Sequence, residues 1–158
     1  MKDSYAQRPD RIPPAALWLG LAGVLPFLWG LATGLSPALF DLGMTLLGPR
    51  FVGLHLQVAY GTIILSFMSG ALWGFAARSD GPWRSRGFAL SVLPALWALV
   101  FVGGGAERAT VVLIAGFVGL LGLDMLFERQ GLTPPWWMRL RNLLTLLVCA
   151  SLTAGLLG

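Results

Sequence analysis

Residues 54–77 read LHLQVAYGTIILSFMSGALWGFAA, a run that contains no Asp, Glu, Lys or Arg. A membrane-spanning helix needs about 20 consecutive, mostly apolar residues, so this run is long enough to cross a bilayer. An apolar run of this length without charged residues is typical of a transmembrane helix. The stretch therefore predicts an integral membrane protein.

The composition of the whole chain agrees with this prediction. Hydrophobic residues make up 56% of the 158 residues and charged residues 11%, whereas a typical soluble domain contains about 25% charged residues. Further apolar segments predict crossings at 14–35, 87–105, 109–127 and 140–157. Five crossings of about 20 residues leave too few residues for a separate soluble domain. We expect a single all-α transmembrane domain, 1–158, that folds as a bundle of five transmembrane helices.

The connection 36–53 is the one loop with apolar content of its own. It holds a single acid, Asp41, among the apolar residues Leu39, Phe40, Leu42, Met44, Leu46 and Leu47, and it is too short and too interrupted to span the bilayer. A segment of this kind is typical of a helix that lies in the membrane interface. We therefore expect a short interfacial helix between the first and second crossings.

Lys and Arg are distributed unevenly between the two sides of this arrangement. With the N-terminus inside, the outer side carries Arg50 and Arg108, and the inner side carries Lys2, Arg8, Arg11, Arg78, Arg84, Arg86, Arg129, Arg139 and Arg141. By the positive-inside rule this predicts a protein of the bacterial inner membrane with a cytoplasmic N-terminus and a periplasmic C-terminus. The first apolar run is longer than that of a signal peptide, so we expect it to be retained. The net charge of +4 then reports orientation, and the scattered basic residues predict no nucleic-acid partner.

Polar residues inside crossings are costly and are therefore the first candidates for function. On the second predicted crossing, the polar residues that share one side of the helix are His55, Thr62, Ser66, Ser69 and Trp73. A ladder of small residues runs beside them, formed by Ser66, Gly70 and Gly74. The favoured interpretation is a helix-packing stripe. The alternative is a narrow path for a polar or amphipathic ligand.

Asp124 is the only acidic residue well inside a predicted crossing. A carboxylate at that depth is expected to be paired, and the preferred partners are Arg141 and Arg86. The alternative is a ligand site at the cytoplasmic headgroup level, rimmed by Trp136 and Trp137. Its candidate residues are Asp124, Arg78, Arg86, Arg141, Asn142 and Trp73. Such a cluster suits an anionic lipid headgroup or a quinone-like amphipath.

Catalytic motifs are missing from the sequence. It contains no nucleophile elbow, no Gly-rich phosphate loop after a strand and no zinc-protease helix. The single cysteine, Cys149, has no partner for a disulfide within the chain, and no ligand set for a metal is apparent. We expect no catalytic residue, no metal and no cofactor, and hence a protein that is not an enzyme.

Several short stretches resemble an uncharacterised family of small membrane proteins, the domain of unknown function 3429 family. They include Ala59-Tyr60-Gly61, Ile64-Leu65-Ser66-Phe67, Trp73-Gly74 and the sequence from Asp124 through Trp136 to Arg141. The resemblance covers roughly residues 12 to 150 and implies a five-helix membrane protein. It implies no activity, because the family has no assigned biochemical function.

Three functions remain open at this point. The favoured one is an accessory or assembly component of a larger inner-membrane complex, because small residues on several helix faces call for partners on several sides. Those partners would be membrane lipids together with other integral membrane proteins or further copies of the chain. The alternatives are a lipid- or quinone-binding protein, which needs a lateral opening near Asp124, and a small oligomeric transporter.

Overall fold

The computed structural model describes residues 11–158, and every regular element in this range is helical. A single turn of 3-10 helix, Pro49–Phe51, lies between the third and fourth α-helices. In chain order the helices are α1 (Pro14–Ala22), α2 (Leu25–Leu35), α3 (Pro37–Leu46), α4 (Gly53–Ala77), α5 (Trp83–Ser91), α6 (Leu93–Phe101), α7 (Ala106–Arg129) and α8 (Trp137–Leu157). Lys2 and Arg8, two residues of the charge count, lie outside the described residues.

Four stretches of the described chain are long and apolar enough to cross a membrane. They are Pro14–Leu35, which comprises α1 and α2, together with α4, α7 and α8. The five-crossing count is not confirmed, because the predicted third crossing is interrupted. In place of a helix over 87–105 the chain forms α5 and α6, two helices of nine residues each that flank Val92, begin at Trp83 and end at Phe101.

Pro94 accounts for the interruption between α5 and α6. A proline has no backbone N–H and its ring crowds the preceding turn, so a helix is kinked or broken on its N-terminal side. Ser69 of α4 restores hydrogen bonds at the break: its hydroxyl donates to the Ser91 carbonyl and accepts from the Ala95 amide at 3.3 Å. The Ala95 amide and the Ser91 carbonyl are the pair that would bond directly in an unbroken helix. The buried polar groups at the break are thus satisfied from a neighbouring helix.

A second proline, Pro26, bends the first crossing. The chain turns at Gly23 and Val24, where the Val24 amide donates to the Leu21 carbonyl at 3.0 Å in a tightened turn. Beyond the bend α2 packs against α4 and α8, whereas α1 packs mainly against α8. The bend therefore separates α1 from α4.

Helix α4 lies at the centre of the bundle. It has 25 residues and packs against α2, α5, α6, α7 and α8. Gly61 permits its close approach to α7, since a Cβ there would lie 3.0 Å from Leu113 Cδ1. The core around it is formed by Phe27, Leu65, Leu72, Leu113, Phe117, Leu120, Phe127 and Leu152.

Helix α3 occupies the connection where a short helix was expected. Ser36 caps its N-terminus by accepting a hydrogen bond from the Leu39 amide at 3.5 Å, and Pro37 follows at the first helical position, which proline favours. The large apolar side chains that α3 leaves exposed are Phe40, Leu42, Met44 and Leu46. A location in the membrane interface stays a prediction, and this exposure agrees with it.

Candidate functional site

A cavity of about 540 Å³ lies between α1, α4 and α8, with part of α7 at its back. Pockets for small ligands usually measure about 300–1,000 Å³, so this one is of ligand size. Its walls are largely apolar and rich in aromatic rings, which are Phe27, Tyr60, Phe67, Phe117, Trp136 and Trp137. The cavity lies where α1, on the N-terminal side of the Pro26 bend, packs mainly against α8 and is separated from α4.

The cavity is open at the outer surface of the bundle. Leu19 of α1 and Phe67 of α4 both line it, and they are 74% and 69% exposed. Gly20 closes the opposite edge by bringing α1 against α8, because a Cβ at Gly20 would lie 2.8 Å from Leu144 Cδ1. A long apolar molecule could therefore enter from the bilayer without crossing water.

A buried ion pair lies at one end of the cavity. Arg141 Nε donates to Asp124 Oδ2 at 2.7 Å, and Trp137 Nε1 donates to Asp124 Oδ1 at 2.8 Å. The Trp137 ring packs edge-on against Phe75, with ring centroids 4.9 Å apart. Both carboxylate oxygens thus have a donor, and the pair carries no net charge.

Within residues 11–158, two polar groups beside this pair have no hydrogen-bond partner. Arg141 Nη2 and Thr145 Oγ1 are buried and unpaired, and both residues line the cavity. They lie one turn apart on the same face of α8, because residues four apart are neighbours on a helix. Buried polar groups are ordinarily satisfied, so an unpaired guanidinium nitrogen and hydroxyl in one apolar cavity call for an explanation.

The predicted cluster around Asp124 is only partly assembled. Of the arginines expected to pair with Asp124, Arg141 does so, and in the range 11–158 Arg86 makes no ion pair with it. Arg78, Arg86 and Asn142 are exposed and do not line the cavity. Trp73 stacks on Phe88 of α5 instead, with centroids 4.5 Å apart. The site holds fewer charged residues than the predicted headgroup cluster, because Trp137 and a single arginine, Arg141, occupy both carboxylate oxygens of Asp124.

The predicted stripe on α4 faces outward within a single chain, except for Ser69. His55, Ser66, Gly70, Trp73 and Gly74 are exposed, and Thr62 is half-buried. The hydroxyls of Thr62 and Ser66 donate to the carbonyls of Val58 and Thr62, at 2.8 and 2.9 Å. A Cβ at Gly70 or Gly74 would meet nothing within 4 Å. Hydroxyls satisfied by their own helix need no neighbour, so a role of Thr62, Ser66, Gly70 and Gly74 in packing against another helix stays a prediction.

Gln57 is a buried polar residue that the sequence reasoning missed. Its Nε2 donates to the Phe27 carbonyl at 2.8 Å and to Ser151 Oγ at 3.1 Å, which ties α4 to α2 and α8. Gly30 and Gly155 make room for it, since a Cβ at either would lie 2.6 Å from a Gln57 side-chain atom. The available signal was that Gln57 is the only amide side chain in 54–77.

The described residues hold no group of three His, Cys, Asp or Glu side chains that could bind a metal ion. Cys149 is a free, half-buried cysteine on α8. The polar side chains Tyr60, Arg141 and Thr145 line the cavity, so the chemistry available there is hydrogen bonding together with contact to apolar and aromatic walls.

Comparison with known proteins places this architecture among membrane proteins of unknown function. The family described as Protein of unknown function (DUF3429) matches residues 12–157. Transmembrane protein 69 of Xenopus tropicalis is 34% identical over 153 residues, covering 92% of this chain and 55% of the relative. Transmembrane protein 69 of Mus musculus is 30% identical over 149 residues, with coverage of 92% and 56%.

The chain thus spans about half the length of these curated relatives. No solved structure matches it. The name of the relatives and the apolar helices together identify a multi-pass membrane protein.

Proposed function

The chain belongs to the family described as Protein of unknown function (DUF3429), and we propose that it is a non-enzymatic membrane protein that binds a long-chain amphipath in the cavity between α1, α4 and α8. The observation that carries this proposal is the pair of unpartnered groups, Arg141 Nη2 and Thr145 Oγ1, in a largely apolar cavity. An apolar cavity with a few polar groups at one end matches a ligand with an apolar tail and a polar head.

We propose further that the chain crosses the bacterial inner membrane five times, with its N-terminus inside. The nine residues of α5, Val92 and the nine residues of α6 reach about 28 Å at about 1.5 Å per residue. This is close to the roughly 30 Å of a bilayer's hydrocarbon core. Val92 keeps a helical backbone, with φ −83° and ψ −14°, so α5 and α6 follow one another without a loop, which supports a third crossing that is bent at Val92.

The binding proposal is tested with a diazirine-bearing long-chain alcohol, which supplies an apolar chain without a charge or a carbonyl group. The probe is photolysed in nanodiscs that contain the purified protein, and labelled peptides are mapped by mass spectrometry. We expect saturable labelling on the segments that line the cavity, around Leu19 in α1 and Phe67 in α4. Labelling spread evenly over all lipid-facing helices, without saturation, would contradict binding in the cavity.

A matched pair of variants makes the test specific. Ala71→Phe places a ring in the cavity, which Ala71 lines, and should abolish the saturable labelling. Ala150→Phe adds the same ring at an exposed position on α8 and should leave it unchanged. Equal labelling of the two variants would count against the cavity as the binding site.

The second candidate function is an accessory subunit of a larger membrane complex. It is favoured by the α4 face formed by Ser66, Gly70 and Gly74, which nothing in the described chain covers. Small residues allow close helix contact in membranes. Such a subunit could also carry the amphipath, so the two functions are compatible.

A further inference from the structure

The polar groups at the cavity indicate which polar head the bound amphipath has. These groups are the buried Asp124–Arg141 pair and the two unpartnered groups beside it, and the inference rests on the proposed function. We infer that the cavity selects an uncharged amphipath whose head carries a carbonyl oxygen, and that it discriminates against an anionic head. A quinone and an uncharged ester lipid share this chemistry.

The charge of the site excludes an anionic head. Asp124 is fully buried and Arg141 is 4% exposed, and their 2.7 Å contact neutralises both. An anionic head would bring an uncompensated negative charge to a buried site, which is costly in a low-dielectric environment. An uncharged acceptor adds no charge and is free of this penalty.

The unpaired groups require an acceptor. A guanidinium nitrogen can only donate, and a threonine hydroxyl needs an acceptor for its proton. Thr62, Ser66 and Thr110 each donate to the carbonyl four residues earlier, at 2.7 to 2.9 Å. Thr145 makes no such bond and has no other partner. Its hydroxyl and Arg141 Nη2 are therefore two donors without a partner, on residues that line the cavity; both atoms are buried, so a carbonyl oxygen would pair with them once the two side chains turn toward it.

The aromatic walls of the cavity favour a quinone over an uncharged ester lipid. Trp136, Trp137 and Tyr60 line the cavity with Phe27, Phe67 and Phe117. Aromatic side chains pack against flat rings in stacked or edge-on geometries, at a gain beyond the area buried. A quinone offers a flat ring that bears carbonyl groups, whereas an ester lipid offers the carbonyl alone.

The inference is tested by competition against the diazirine-bearing alcohol. For every competitor the same quantity is measured, which is the loss of alcohol labelling on the segments that line the cavity. The competitors are decylubiquinone, dioleoylglycerol, and oleate at a pH where it is ionised. We expect at least one of the two uncharged carbonyl compounds to displace the label at a concentration about tenfold below that of oleate. The more effective of the two identifies the source.

Thr145→Val removes the hydroxyl while nearly preserving the shape of the side chain. It should weaken the better carbonyl competitor about fivefold, the change that corresponds to one net hydrogen bond of about 1 kcal/mol, when the concentration that displaces the label is divided by the concentration of alcohol that half-saturates labelling of the same variant. The control is Thr153→Val, at an exposed position on the same helix, which should leave this ratio unchanged.

Different results separate the inference from the function on which it rests. Oleate that competes as well as decylubiquinone and dioleoylglycerol would overturn the inference, as would an unchanged Thr145→Val chain. Either result leaves the proposed function standing, because the alcohol still labels the cavity. Failure of the alcohol to label the cavity would instead contradict the proposed function itself.

Discussion

Arg141 Nε lies 2.7 Å from Asp124 Oδ2, and the two side chains are 5% and 0% exposed. The contact joins the C-terminal part of α7 to the first turns of α8, across the loop that contains Pro134 and Pro135. Because neither charge reaches solvent, each depends on the other for compensation. The packing of α7 against α8 therefore depends on both charges, and a change that removes one of them should weaken it.

Asp124→Asn should lower the free energy of unfolding by about 3–5 kcal/mol, because it leaves the Arg141 charge buried and uncompensated. Thermal unfolding in mild detergent, followed by circular dichroism, would measure the loss. Asp80→Asn is the matched control, since Asp80 is exposed and its change should be within about 0.5 kcal/mol. The double variant Asp124→Leu/Arg141→Met should recover much of the stability, as replaced buried pairs often do. Equal unfolding temperatures for Asp124→Asn and Asp80→Asn would refute the buried pair.

Gly30→Ala should destabilise the contact between α2 and α4. A Cβ at Gly30 would lie 2.6 Å from Gln57 Cγ and 3.0 Å from the Gly53 carbonyl oxygen, so the helices would have to separate. Overpacking of this kind costs about 1–3 kcal/mol. Gly70→Ala is the control, because a Cβ there meets nothing within 4 Å. A lower unfolding temperature for Gly30→Ala than for Gly70→Ala is the expected result, and the reverse order would show that the close approach at Gly30 is wrong.

The side of the membrane on which the C-terminus lies decides the number of crossings. If α5 and α6 together cross the bilayer, the crossings number five and the two termini lie on opposite sides. If they do not, four crossings place both termini on the same side. A periplasm-dependent phosphatase fused after Gly158 should be active, and a fluorescent protein that folds only in the cytoplasm should be dark. The opposite pattern would reduce the count to four, given a cytoplasmic N-terminus.

Gly74→Leu should release the chain from any native assembly that uses the exposed α4 face. A Cβ at Gly74 would meet nothing within 4 Å among the described residues and the position is exposed, so the fold should remain, but the leucine would prevent close contact with a partner helix. Native gel electrophoresis at native expression level, beside the unfolding temperature, would measure both effects. Ala150→Leu adds a similar bulk at an exposed position on α8 and should leave the assembly intact. A wild-type chain that migrates alone would contradict the accessory role.

The pairing of Asp124 could be predicted from the sequence because the signal is nearly unambiguous. One acid lies inside a crossing, and basic residues gather at the same end of the bundle, so the cost of a lone charge leaves few arrangements. The sequence constrains the choice between Arg141 and Arg86 less strongly, because that choice depends on how α7 and α8 pack. The involvement of Trp137 needs the same knowledge of packing.

The direction in which the faces of α4 point could not be predicted from polarity. Thr62 and Ser66 bond to their own helix and are compatible with an outward position, whereas Gln57 cannot satisfy its amide so locally and is buried. Polarity alone therefore does not tell which side of α4 lies inward. The cavity could likewise not be predicted from the hydrophobic periodicity of the helices. It results from the bend at Pro26 and from the separation of α1 from α4.

Ser69 and Pro94 form one unit, although they lie on different helices. The hydroxyl of Ser69 stands between the Ser91 carbonyl and the Ala95 amide, at the place that Pro94 breaks. In evolutionary terms, each residue makes the other necessary: a lineage that loses the proline no longer needs the hydroxyl, and one that loses the hydroxyl is under pressure to lose the proline. The two positions should therefore covary among related chains and be inherited as a pair.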